Sequence, residues 1–334
     1  MSNDSTPVEA PAPQANLLLA RAGLGGVLMG LANLVPGVSG GTMLLATGIY
    51  RDFVDAVARF TRLRPSARAL LVLGTVGGAA FLAILLGAGL LKDLVVHRRW
   101  MMYALFVGLT LGGIPLVWRP IRDKSAAYWS GLGGGLAFMV ALFWLQQSNP
   151  GGSETGSNAL ALGAAGAAGA SAMILPGLSG GYLLLLMGQY VPILSGVDRL
   201  KSALIARDVA AVVDVGLAVV LPVGIGVVAG VVVISNLVQW FFRRFEQATY
   251  GVLLGLLLGA VIGLWPFQRP VDPVPGETLI KGTVVTEANL ADFDLEDYPT
   301  EFYRPAGGQV AGALGLLGLG LAATLALART QPSD

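Results

Sequence analysis

Two hexapeptides hold the residues whose types and spacing could do chemistry: PGVSGG at 36–41 and PGLSGG at 176–181. Proline disfavours helix in the residue before it, and the glycines that follow permit backbone angles other residues avoid. Each hexapeptide therefore ends one helix and starts another at or near Ser39 or Ser179. A serine there is placed to cap the first free N–H groups. Gly40, Gly41, Gly180 and Gly181 leave backbone donors bare, at a helix end that carries roughly half a positive charge. Such an end binds anions without a buried lysine or arginine. That suits a place where an ionised side chain is expensive. The competing reading is that each motif only breaks the helix and lets neighbouring backbones pack closely.

The elements that must position these motifs are membrane helices. Of 334 residues, 54% are hydrophobic and only 12% charged, about half the usual charged share, too few to cover a water-soluble surface. The 47 glycines have no collagen-like period and lie inside apolar runs, as in packed membrane helices. A net charge of +1 offers no basic field for nucleic acid. The absence of cysteine excludes disulfides, thiolate nucleophiles and cysteine metal sites. With one histidine and no paired acids within a span, neither a metal cluster nor a nucleophile–base–acid set is expected, and no cofactor or enzymatic activity. Six uncharged stretches are long enough for a ~30 Å hydrocarbon core: 69–91, 100–118, 125–145, 215–239, 247–268 and 306–328. All six tryptophans fall at or near their ends, where an amphipathic ring sits best. Residues 22–50 and 155–197 are also uncharged but interrupted by the two motifs. After the first break, Thr42–Tyr50 offers nine apolar residues, roughly 14 Å of helix and about half the core thickness. A re-entrant hairpin fits that length; a pair of tilted full spans is the alternative.

The motifs belong to an internal repeat. PGVSGGTMLLATGIY at 36–50 matches PGLSGGYLLLLMGQY at 176–190 without a gap, at an offset of 140. YALFVGLTLGGIPLVW at 103–118 resembles YGVLLGLLLGAVIGLW at 250–265. A repeat with an odd number of crossings sets its copies in opposite orientation. Inverted repeats with broken helices are the recurrent plan of secondary transporters, with the substrate site at the repeat interface. The expected fold is an all-α polytopic membrane protein of two inverted repeats, each a re-entrant helical hairpin followed by three transmembrane helices. Residues 1–16 read as a disordered tail, 17–147 as the first repeat and 155–328 as the second, with 269–305 an acidic extracytoplasmic insertion. The basic loops 51–68, 119–124 and 240–247 put both termini in the cytoplasm, against the outward Lys92, Arg98, Arg99, Arg199, Lys201 and Arg207.

ANLVPGVSGGTMLLATGIY together with LPGLSGGYLLLLMGQY resembles the bacterial polyprenyl-phosphate transporter family, the PopT type, over about residues 17 to 328. The resemblance implies a flippase that returns undecaprenyl phosphate, the lipid carrier of peptidoglycan synthesis, from the outer to the inner leaflet of the bacterial plasma membrane. On that resemblance Ser39, Gly40, Gly41 and Thr42, with Ser179, Gly180, Gly181 and Tyr182, cradle the phosphate. Pro36, Gly37, Pro176 and Gly177 supply the structural breaks. The second copy has Tyr182 where Thr42 stands and Met173 where Asn33 stands, so the half-sites are not equivalent. Physics agrees with such a substrate, because a phosphate head cannot shed its hydration to cross hydrocarbon unaided while its prenyl tail stays in lipid. The alternatives are a channel or carrier for a small anion, and a non-transporting membrane scaffold; a homo-oligomer stays open.

Five further positions have two readings each. Arg21 either reaches a phosphate or snorkels to the interface. Asn33, just before the first break, bonds free backbone or ligand. Asp214 either couples proton entry to transport or sits in water at the interface. Tyr50 and Tyr190 donate to an anion or anchor the hairpin ends.

Overall fold

The computed structural model describes residues 12–33, 35, 38–148, 158–280, 283–293 and 298–329. The chain is mostly helical, and six helices are long and apolar enough to cross a membrane: Ala67–Gly87, Arg99–Trp118, Ala126–Leu145, Val209–Arg244, Glu246–Gly263 and Gly307–Ala326. Their outward faces carry large apolar side chains such as Phe81, Leu85, Ile225, Val228, Leu314 and Leu319, all exposed. An apolar exterior of this extent belongs against lipid. Trp118, Trp129, Trp144, Trp240 and Trp265 are exposed near helix ends, in keeping with the interfacial role their positions suggested.

In the first half, α1 (Ala12–Asn33) leads into the short α2 (Gly40–Ala46), and α3 (Tyr50–Thr61) turns away to α4 (Ala67–His97). Then follow α5 (Arg99–Gly112), α6 (Ile114–Trp118) and α7 (Ala126–Ser148). The second half repeats the order with α8 (Ala159–Ile174), the short α9 (Gly180–Leu186), α10 (Tyr190–Ala206) and α11 (Val209–Val215). A π turn at Gly216–Val220 joins α11 to α12 (Leu221–Arg244), followed by α13 (Glu246–Gly263) and α14 (Gly307–Arg329). Gly48 and Gly188 end the two short helices in the left-handed conformation, with φ of 75° and 67°, the ordinary way for a helix to stop at glycine.

Packing repeats along with sequence. Helix α1 lies on α4 and α8 lies on α12, each pair meeting where a glycine faces a carbonyl. A Cβ on Gly26 would stand 2.4 Å from the Val76 oxygen, and one on Gly166 would stand 2.4 Å from the Val223 oxygen. The remaining pairs are exchanged between halves, α5 against α14 and α13 against α7. A Cβ on Gly108 would fall 2.2 Å from the Leu317 oxygen, and one on Gly255 would fall 2.3 Å from the Leu132 oxygen. One turn on, Gly112 faces Thr324 as Gly259 faces Met139. Small residues that let backbones touch are the usual adhesive of membrane helices, since lipid offers no hydrophobic drive between them.

Four boundaries differ from expectation. Helix α1 begins at Ala12, inside the stretch read as a tail, because Pro13 is tolerated in a first turn where its missing N–H is no loss; residues 1–11 lie outside the described residues. The third stretch's neighbour at 100–118 is two helices, parted at Gly113 ahead of Pro115. The fourth span starts at Val209 rather than Val215. Asp208 is the N-cap, its carboxylate accepting from the Ala211 N–H at 3.1 Å, and Asp214 rides an exposed face. We expect Asp208→Ala to destabilise the fold by about 1 kcal/mol, read as a lower thermal midpoint in detergent. Finally, the insertion holds strands: β1 (Gln268–Pro270) pairs antiparallel with β4 (Thr300–Phe302), and β2 (Leu279–Ile280) with β3 (Thr283–Val284). Trp265, Phe267 and Tyr303 stack edge-to-face beneath it.

Candidate functional site

Both short helices begin at the glycine pair of their hexapeptide, and both preceding serines are extended: Ser39 at φ −101°, ψ 128° and Ser179 at φ −98°, ψ 122°. Neither serine side chain caps its helix, contrary to expectation. Ser39 is turned instead toward the other half. Its Oγ donates to the Leu175 carbonyl at 3.2 Å. Leu175 is the residue that ends α8, so its carbonyl is one of those a helix end leaves without an internal partner. Close by, the Gly177 N–H donates to Thr42 Oγ1 at 2.8 Å in a buried bond. Each hexapeptide, offset from the other by 140 residues, therefore touches the residue that flanks the other, through side chain and backbone.

Contact is unequal on the two sides. Every residue of α2 is buried, as are Ser39 and Thr42. Val35, Val38 and Met43 pack with Tyr103 and Phe106 of α5. A Cβ on Gly41 would lie 2.8 Å from the Ile174 oxygen. On the second copy Ser179 and Gly180 are half-buried and Gly181 is exposed. A Cβ on Gly181 would meet nothing nearer than the Tyr190 ring, at 3.8 Å. Pro176 is buried, and Gly177 holds φ +84° with the Leu256 oxygen 2.7 Å from where a Cβ would be. That φ and that neighbour both require glycine. Asn33 is exposed, its side chain alongside Gly40, and Met173 is exposed at the matching place. Pro36, Gly37 and the Tyr182 side chain lie outside the described residues.

Residues 29–275, a stretch that holds both hexapeptides, match the family described as undecaprenyl phosphate translocase-like. The chain belongs to that family. A polyprenyl-phosphate transporter of Vibrio cholerae serotype O1 is 31% identical over 293 residues, covering 82% of this chain and 86% of the relative. A polyprenyl-phosphate transporter of Staphylococcus aureus is 28% identical over 257 residues, 73% of this chain and 85% of the relative. No solved structure matches the chain. In this translocase-like chain the matched region ends inside the 269–305 insertion and leaves α14 beyond it.

Three expected residues stand apart from the two hexapeptides. Arg21 lies twelve positions before Asn33 on α1, roughly 18 Å along the helix axis, within electrostatic reach of Asp52. Asp214 is exposed on the fourth span. Tyr50 is in the core, edge-on to Phe242 at 6.4 Å, whereas the Tyr190 ring sits beside Gly181. Sequence reading also missed a polar seam where α3 meets α12. Gln239 Nε2 donates to Asp55 at 2.6 Å, and Asn236 bonds Thr61 at 3.0 Å and also Arg62. The signal was there: two amides one turn apart in an otherwise apolar span. A cleft of ≈ 290 Å³ opens nearby, lined by Asp52, Asp55, Arg59, Ser66 and Arg68, with Arg68 paired to Asp52 at 3.0 Å.

Proposed function

We propose that this chain carries a polyprenyl phosphate between membrane leaflets, returning undecaprenyl phosphate from the outer to the inner face of the bacterial plasma membrane. Its halves insert in opposite senses with both termini in the cytoplasm, and each hexapeptide turns back within the membrane as a re-entrant hairpin. The phosphate rests at the second tip, against the bare backbone of Ser179, Gly180 and Gly181, with Tyr182 following and Asn33 on the facing tip. The first tip, Ser39 to Thr42, takes part when the pair rearranges. The prenyl chain stays in lipid throughout.

The observation that carries this reading is the meeting of the second hexapeptide with the residue that follows the first, the Gly177 N–H on Thr42 Oγ1 at 2.8 Å, with Gly181 left open. Two relatives that share most of the chain's length are named as polyprenyl-phosphate transporters. The matching glycine register of the two halves supports the symmetry that alternating exposure needs.

The test is a leaflet-resolved assay of labelled polyprenyl phosphate in vesicles, with wild type and Gly181→Leu. Room at Gly181 lets leucine fold into place and fill the open tip. Transfer should fall at least about tenfold, as expected when a bound head group loses contacts worth ~1.4 kcal/mol. Undiminished transfer by a folded Gly181→Leu protein would remove the second tip from the path.

A further inference from the structure

We propose that Thr42 is a positioning residue that latches the two tips together, holding the first closed while the second is open; this rests on the transporter reading above. A carrier that alternates must have at least two arrangements of its tips, and something must favour each. In the arrangement seen here the favouring contacts are specific. Thr42 Oγ1 accepts from the buried Gly177 N–H at 2.8 Å, and Ser39 Oγ donates to the Leu175 carbonyl at 3.2 Å. Both groups satisfied in this way are backbone groups flanking Pro176, at the break of the opposite half. If the tips part, Gly177 loses its acceptor in a place poor in water, and a buried donor left unmade costs more than an average hydrogen bond contributes.

The latch is one-sided. Position 182 of the second copy, which corresponds to Thr42, is tyrosine, whose hydroxyl stands a whole ring further from the backbone than threonine's. The same short bond cannot be formed in reverse. The residue that follows each hexapeptide thus helps to make the two copies unequal. One tip is sealed under α5 through Val38 and Met43, and the other is left with Gly181 exposed.

The chain contains no cysteine, so single cysteines report without background. Val38→Cys places a thiol in the sealed tip, where Val38 is 5% exposed, and Gly181→Cys places one in the open tip. In vesicles, a membrane-impermeant maleimide applied from each side in turn should label Gly181→Cys and leave Val38→Cys nearly unreacted. Adding Thr42→Val, which keeps the shape and deletes the acceptor, should speed labelling of Val38→Cys about tenfold. Thr42→Ser, which keeps the hydroxyl, should restore the slow rate. A general loosening of the fold would accelerate both reporters and would not be rescued by serine. Equal Val38→Cys labelling with and without Thr42→Val overturns the latch. Should Thr42→Val not fold, Ser39→Ala removes the second tie and is judged by the same rates. Vesicles that carry no labelled polyprenyl phosphate in any background would overturn the substrate reading alone, because labelling reads the tips directly.

Discussion

Gly226→Ala should leave little or no folded protein, while Gly224→Ala two positions away should be harmless. A Cβ on Gly226 would stand 1.9 Å from the Gly163 oxygen and 2.7 Å from its carbonyl carbon, with nothing but backbone to yield. Rotamer changes cannot relieve such a clash. Helices α8 and α12 would have to separate along the whole seam that Gly166 and Gly230 also line. Overpacked cores typically lose 1–3 kcal/mol, occasionally more, and a clash between two backbones belongs at or above about 3 kcal/mol on that scale. Gly224 is exposed and has no atom within 4 Å of its would-be Cβ. There alanine gains the helix preference it holds over glycine, about 1 kcal/mol. The comparison is read from the yield of monodisperse protein after detergent extraction and from the thermal midpoint. Equal yields for the two variants would mean that the α8–α12 approach is looser than described.

The second large effect is expected at the meeting of the tips. Gly41→Ala should fold yet lose transfer of labelled polyprenyl phosphate about tenfold or more, a larger loss than Gly181→Ala should cause. The new methyl at 41 would lie 2.8 Å from the Ile174 oxygen and 3.2 Å from Leu175, so it pries apart the two segments that Thr42 and Ser39 join. A wedge costing about 1–3 kcal/mol shifts the balance of the two arrangements by roughly 5- to 150-fold. At 181 the methyl meets only a ring edge at 3.8 Å, an ordinary contact. Two variants that differ only in which copy of one motif they alter are thus expected to differ in the size of their effect. Matched behaviour in the vesicle assay would contradict the inequality of the tips.

Much of this architecture could be read from residues alone, for identifiable reasons. The spans were legible because lipid demands long uncharged runs, and the breaks because Pro176 and Gly177 can do little else. The serines misled. A serine before a helix usually serves that helix, and nothing local signals that Ser39 turns to Leu175, a partner 136 positions away. The same holds for Thr42. Its role comes from a contact across the two halves, which no periodicity encodes. Asn236 and Gln239 were passed over because single amides in a span hardly lower its hydropathy, although they tie α12 to α3.

The exchange of helices between halves bears on how the protein is made. Helix α5 leaves the ribosome well before α14, the helix whose carbonyl it receives at Gly108, and α7 waits likewise for α13. A nascent chain halted after its first half would expose two glycine-notched helix faces to the bilayer with nothing yet synthesised to fill them. Neither half is then a self-sufficient folding unit, and assembly has to be completed late, after the last helix has been threaded into the membrane.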